Sequence, residues 1–131
     1  MKVPTELVGA HVSRTAFDQQ VRISFTACDS GAGRRLDAEL VIETDFTLSD
    51  TAGGRHALEP GSGTALAPVL GLFTATVTGV GVEGRGKLIL DFDQGSRLTV
   101  APHPGFESWN LTGEGVTPVL VGPGGEAHWH R

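Results

Sequence analysis

The sequence predicts a mainly β fold, an antiparallel β-sandwich or partly open barrel of about nine strands with one short helix, on three observations. Apolar residues alternate with polar ones at period two along most of the chain. The alternating runs are separated by turn residues: 19 Gly and 7 Pro in 131 residues supply the frequent reversals that short strands need. One segment, 62–73, follows the helical period instead.

Val21, Ile23 and Phe25 alternate with Arg22, Ser24 and Thr26, which puts the apolar set on one face of a half-buried strand. Leu36, Ala38, Leu40 and Ile42 repeat the pattern against Asp37, Glu39, Val41 and Glu43. The alternation resumes in Phe46 and Leu48 without a change of phase across Thr44-Asp45, so a bend or bulge is expected there. Residues 50–54 supply turn chemistry. In 62–73, Leu66, Val69, Leu70 and Phe73 fall at i, i+3, i+4 and i+7, the spacing of one helix face. Ser62 or Thr64 can cap that helix, Pro68 fits its first turn, and Gly71 limits its length.

Val80 and Val82, then Leu88, Leu90 and Phe92, then Leu98 and Val100 read as an antiparallel meander. It reverses at Gly84-Arg85-Gly86 and at Asp93-Gln94-Gly95-Ser96. After Pro102 and Pro104, the residues Phe106, Trp109 and Leu111 resume an apolar set, and Gly113-Glu114-Gly115 turns the chain into Val119-Leu120-Val121. Pro123-Gly124-Gly125 leads to a last strand over 126–130.

Apolar residues make up 39% of the chain, enough for a core at this length, and no linker, charge run or repeat divides it, so residues 1–131 read as a single domain. The lone Cys28 excludes an internal disulfide and suits a reducing, cytoplasmic setting, in which the sequon Asn110-Leu111-Thr112 goes unused. No apolar run approaches the ~20 residues of a membrane span. A formal charge of −5 without a basic cluster argues against a nucleic-acid partner; the acidic excess serves solubility, or, in a sharper reading, a surface for a basic partner.

Gly79-Val80-Gly81-Val82-Glu83-Gly84 satisfies the dinucleotide fingerprint in letters, but a strand follows it where the pyrophosphate needs a helix N-terminus, so it reads as a Gly-rich hairpin. No cofactor is expected. Glu126, His128 and His130 project to one face of a strand and are the candidate metal ligands, set against the fraying of a chain end and the simpler reading that Trp129 docks the strand. His103 with Glu107 is a candidate acid–base pair, against a solvated turn in which Glu107 meets backbone amides. Asp91 and Asp93 can hold a cation or stand as solvated edge charges. Cys28 has no nearby His to activate it and reads as a small strand-end residue.

Phe106-Glu107-Ser108-Trp109-Asn110-Leu111-Thr112-Gly113, followed by Pro123-Gly124-Gly125-Glu126 and Trp129, resembles a family of small, uncharacterised bacterial, largely actinobacterial, proteins. Leu88 to Phe92, Leu58-x-Pro60 and Leu66-x-Pro68-Val69-Leu70 extend the resemblance over most of the chain. It implies integrity of the fold and brings no activity, catalytic residue or cofactor. On the residues alone, Trp109 reads as core and the carboxylate of Glu107 as tying down a turn.

Three functional classes remain. The first is a non-catalytic protein-interaction domain, immunity-like or regulatory, whose partner is another protein or a second copy in a homodimer. The second is a small-ligand-binding β-barrel, favoured if polar groups such as Arg22, Arg97 or His56 point inward. The third is an enzyme whose site is assembled from sequence-distant residues such as His103 and Glu107.

Overall fold

The break at Thr44-Asp45 is where the chain changes sheets. The computed structural model describes residues 3–29, 34–105, 107–122 and 127–129, with eleven strands in two antiparallel sheets. The six-stranded sheet holds β1 (His11–Phe17), β2 (Val21–Asp29), β3 (Arg34–Ile42), β9 (Trp109–Glu114), β10 (Val119–Val121) and β11 (Ala127–Trp129), adjacent in that order. The five-stranded sheet holds β4 (Phe46–Ser49), β5 (Arg55–Leu58), β6 (Val77–Glu83), β7 (Lys87–Phe92) and β8 (Arg97–Val100), in the order β5-β4-β8-β7-β6. Phe106, residues 123–126 and His130, to which the sequence assigns an apolar position, a turn and a strand end, lie outside the described residues.

The expected bend is thus a corner. Leu36, Ala38, Leu40 and Ile42 of β3 and Phe46 and Leu48 of β4 all face one shared core, so the alternation keeps its phase while the strand rolls from one sheet to the other. The chain crosses back between β8 and β9. The meander of β6, β7 and β8 forms as expected, with Leu88, Leu90, Phe92, Leu98 and Val100 buried. The described residues hold about two strands more than the nine expected. The long strand is split in two, and two strands lie outside the runs the sequence singled out: the short edge strand β5 and β1, whose alternation is broken by a register shift between Val12 and Arg14.

The sheets make a sandwich rather than a closed barrel, yet their edges meet at one place. Gly9 N donates to Val77 O (2.9 Å), Val77 N to Ala10 O (2.8 Å), Val12 N to Ala75 O (2.9 Å) and Thr74 N to Val12 O (2.9 Å), which joins the start of β1 to the approach to β6. Thr74 holds φ at +72°, a conformation costly for a β-branched residue, and its bond to Val12 helps to keep it there. At the other sheet, β9 runs so close to β3 that a Cβ on Gly113 would lie 2.3 Å from Asp37 O, and only Gly fits.

The helical segment forms, but its buried face differs from the expected one. Residues Gly63–Leu66 wind as a 3₁₀ turn, and only Ala67–Leu70 is α-helical (α1). At about three residues per turn, i, i+3 and i+6 share a face. Leu66, Val69 and Leu72 are therefore buried, while Leu70 and Phe73, which an α-helical period would bury, are each 56% exposed. The Nε2 of Gln94 donates to Gly71 O (3.1 Å) and ties this segment to the β7–β8 turn.

Trp109 is the core's largest anchor, 1% exposed. It sits in β9 opposite Ile42 of β3 and Val121 of β10, and its indole Nε1 donates to the buried carbonyl of Gly86 (2.8 Å) in the β6–β7 turn of the facing sheet. Replacing Trp109 by Phe leaves that carbonyl without its donor and is expected to cost about 1–3 kcal/mol, read as a lower urea midpoint at unchanged slope. Leu72→Ala is expected to cost about 2–5 kcal/mol, whereas Leu70→Ala should stay within about 0.5 kcal/mol in the same assay.

Candidate functional site

The candidates from the sequence scatter over the fold. The backbone of β11 pairs with β10 in the register Val119↔Trp129, Leu120↔His128 and Val121↔Ala127; Glu126, His130 and the side chain of His128 lie outside the described residues. The Gly79–Gly84 fingerprint is strand β6 running into a tight turn and then β7, a hairpin as expected. Cys28 is an exposed thiol next to the last residue of β2.

Asp91 and Asp93 part company. Asp91 receives Arg97 in a two-pronged ion pair (Nε to Oδ1 2.7 Å, Nη2 to Oδ2 3.2 Å), which holds the Arg97 guanidinium above its ordinary range. Asp93 Oδ1 accepts from Thr76 N (3.1 Å) and so fastens the β7–β8 turn to the segment before β6. His103 and Glu107 also have separate engagements. His103 Nδ1 accepts from Gly105 N (2.9 Å), and its own amide donates to the buried Ser108 Oγ (2.9 Å). The Glu107 carboxyl lies near enough to Glu43 to help push that group upward.

The polar groups on which a ligand cavity would depend do not converge. Arg22 and Arg97 stand on the outer faces of the two sheets. His56 falls on the inner row opposite Leu48, but at the edge strand, half-buried, where its Nε2 meets Asp50 Oδ2 (3.0 Å). That bond, with the Gly54 amide donating to Asp50 Oδ1 (2.8 Å), holds the Asp50 carboxyl below its usual range.

Two features emerge that sequence reading missed. On the outside of the five-stranded sheet lies an open groove of 310 Å³. Its floor is Thr47, Thr99 and Ile89 with Ser49 beside them, and its walls carry Arg55, Lys87, Arg97 and Glu83. These are the outward positions of β4, β5, β6, β7 and β8 in register. Arg97 is paired with Asp91; Arg55 and Lys87 make no salt bridge among the described residues.

The second feature ties the β1–β2 turn to the first crossover on the six-stranded side. Arg22 Nη1 meets Glu39 Oε1 (2.9 Å), Arg22 Nη2 donates to Gln20 Oε1 (2.8 Å), and Gln20 Nε2 donates to Glu43 Oε1. Burial pushes the Glu43 carboxyl above its ordinary value of 4.5, and the neighbouring Glu107 carboxyl adds to the effect, while Gln20 and Arg22 oppose it. An open depression of 520 Å³ lies alongside, lined by Asp18, Gln19, Gln20 and Glu43.

The fold and its polar outer faces define an antiparallel β-sandwich. Residues 3–130 match the model of DUF6188, described as a family of unknown function, and the chain belongs to that family. No curated protein and no solved structure matches the chain significantly. Among the described residues, no three His, Cys, Asp or Glu side chains are grouped to hold a metal ion, and no helix is long and apolar enough to cross a membrane.

The raised Glu43 carboxyl makes a signed prediction. A carboxyl that binds its proton more tightly in the folded state contributes stability fully below its unfolded value of 4.5, and that contribution is lost as pH rises through the folded value. Glu43→Gln keeps the acceptor for Gln20 and removes the charge. It should raise the melting temperature at about pH 7.5, and the gain should vanish towards about pH 4 in thermal melts.

Proposed function

We propose that the chain is a non-catalytic protein-interaction domain, an immunity-like or regulatory subunit, that holds an extended acidic segment of a partner on the outer face of its five-stranded sheet. The groove on that face supports this reading. Arg55 and Lys87 stand beside it without carboxylate partners among the described residues, in a chain whose net charge is −5. Net acidity therefore does not describe this surface.

Size decides what kind of partner fits. Five strands about 4.8 Å apart, three of them four residues long at about 3.3 Å per residue, make a plate of roughly 19 by 13 Å. That is well under the about 800 Å² that each side of a standard protein interface buries, so an extended segment fits better than a flat domain face. Gly81 adds to the case. A Cβ there would meet nothing nearer than Ile89 Cβ at 4.0 Å, and its backbone does not require glycine. A glycine in a strand interior without a packing reason leaves the surface bare for a close approach. A single cysteine, the exposed Cys28, leaves no internal disulfide to form and accords with a reducing, cytoplasmic setting.

A labelled oligo-glutamate peptide is expected to bind the full chain at low ionic strength and to weaken as salt is added. Reversing Arg55 and Lys87 together to Glu should cost at least about tenfold in affinity, whereas Arg14→Glu on the other sheet should change it by less than about twofold. No binding by the wild-type chain, or an equal loss with Arg14→Glu, contradicts the proposal.

A further inference from the structure

The outward side chains of the five-stranded sheet fall into rows that cross the strands. One row reads Arg55, Ser49, Arg97, Asp91 and Gly79 from β5 to β6, each residue directly opposite the next. The row beside it reads Ala57, Thr47, Thr99, Ile89 and Gly81. Neighbours within a row are about 4.8 Å apart, and the rows are about 6.6 Å apart, the rise of two residues. Ser49, Thr47 and Thr99 therefore make a triangle of hydroxyls on the groove floor, flanked by Arg55 on the β5 side and Arg97 on the β8 side.

Arg97 is braced from behind. Asp91, its neighbour on the side away from Ser49, accepts from Nε (2.7 Å) and Nη2 (3.2 Å) and leaves the rest of the guanidinium for another acceptor. Gly79 makes room for the brace: a Cβ there would come 3.3 Å from Asp91 Oδ2, so the carboxylate lies over bare backbone. A guanidinium already fixed in place loses little freedom on meeting an anion. Ser49 Oγ donates to Arg97 O at 3.5 Å, the long limit of such a bond, and gives up little by turning to a ligand. The far end of the groove differs, because Glu83 stands opposite Lys87 there and repels an anion. The anion seat is thus confined to the Arg55–Arg97 end. Donors below and on both flanks suit a tetrahedral group. A carboxylate is planar and is satisfied by a single guanidinium fork, whereas a phosphoryl ester offers three terminal oxygens and nearly two charges.

We propose that the Arg55, Ser49 and Arg97 row, with Thr47 and Thr99 beside it, is a phosphoryl seat that holds a phosphorylated serine or threonine of the extended partner segment. The seat rests on the binding role proposed for this face and supplies the anchor of the bound segment.

Short labelled peptides that are identical except for phosphoserine, glutamate or serine at one central position, titrated against the full chain beside the oligo-glutamate peptide, test the seat. The phosphoserine peptide is expected to bind at least about tenfold more tightly than its glutamate counterpart, and the serine peptide to bind weakest. Ser49→Ala combined with Thr99→Val removes two hydroxyls and keeps every charge. In that variant the preference for phosphoserine should fall below about threefold, while affinity for oligo-glutamate changes by less than about twofold. If oligo-glutamate binds but phosphoserine gains nothing over glutamate, or the preference survives in the double variant, the seat is overturned and the role of the face stands. If neither oligo-glutamate nor the phosphoserine peptide binds, both fall.

Discussion

An indole N–H inside a hydrocarbon core must find an acceptor, and much of this fold is arranged around the one that Trp109 finds. The donor belongs to the middle of the six-stranded sheet, and the acceptor, Gly86 O, to a hairpin turn of the other. Gly86 can give its carbonyl to the core because it holds φ at +125°, where a side chain would be strained. Sheet-on-sheet packing is otherwise non-directional, since apolar faces gain as much from several relative placements. A buried bond whose loss would leave a carbonyl unpaired selects one of them. The same strand end carries Ser108, whose carbonyl accepts from the Glu43 amide of the other crossover, so the pin between sheets and the seam between crossovers are neighbours in the chain.

With the sheets held in this way, their outer faces become fixed templates of different character. The six-stranded side gathers Asp18, Glu39 and Glu43 around the guanidinium of Arg22. The five-stranded side presents hydroxyls, one Ile and two cations, Arg55 and Lys87, that make no salt bridge among the described residues. Neither property follows from the total charge, because what matters for recognition is which charges share a face. Buried polar atoms do not disturb the interior: Thr44, Ser96 and Ser108 are buried, and the described residues leave no buried side-chain donor or acceptor unpaired.

Local physics made much of the architecture legible in advance. The meander could be read from Leu88 to Val100 because alternation and turn glycines agree there, and the rejected dinucleotide fingerprint failed for the reason given, a strand at Lys87–Phe92. The uninterrupted phase across Thr44-Asp45 signalled an interruption without revealing that it was a change of sheet. The helical segment misled because Leu70 and Phe73 match an α-helical period that its 3₁₀ start does not follow. β1 escaped notice because a bulge scrambles its period. Both surface features were out of reach for a different reason. The groove requires β4 to lie beside β8, and the polar network requires the turn at Gln20 to meet Glu43, pairings that no local pattern encodes.

The pin can be interrogated directly through the exchange of the Trp109 indole Nε1 proton with deuterated water, measured by NMR beside a urea unfolding curve. If the bond to Gly86 holds the sheets together, the proton leaves only on global unfolding, and its exchange free energy equals the unfolding free energy from urea. Exchange through a local opening, at a small fraction of that free energy and with the fold intact, would show that the sandwich does not depend on it.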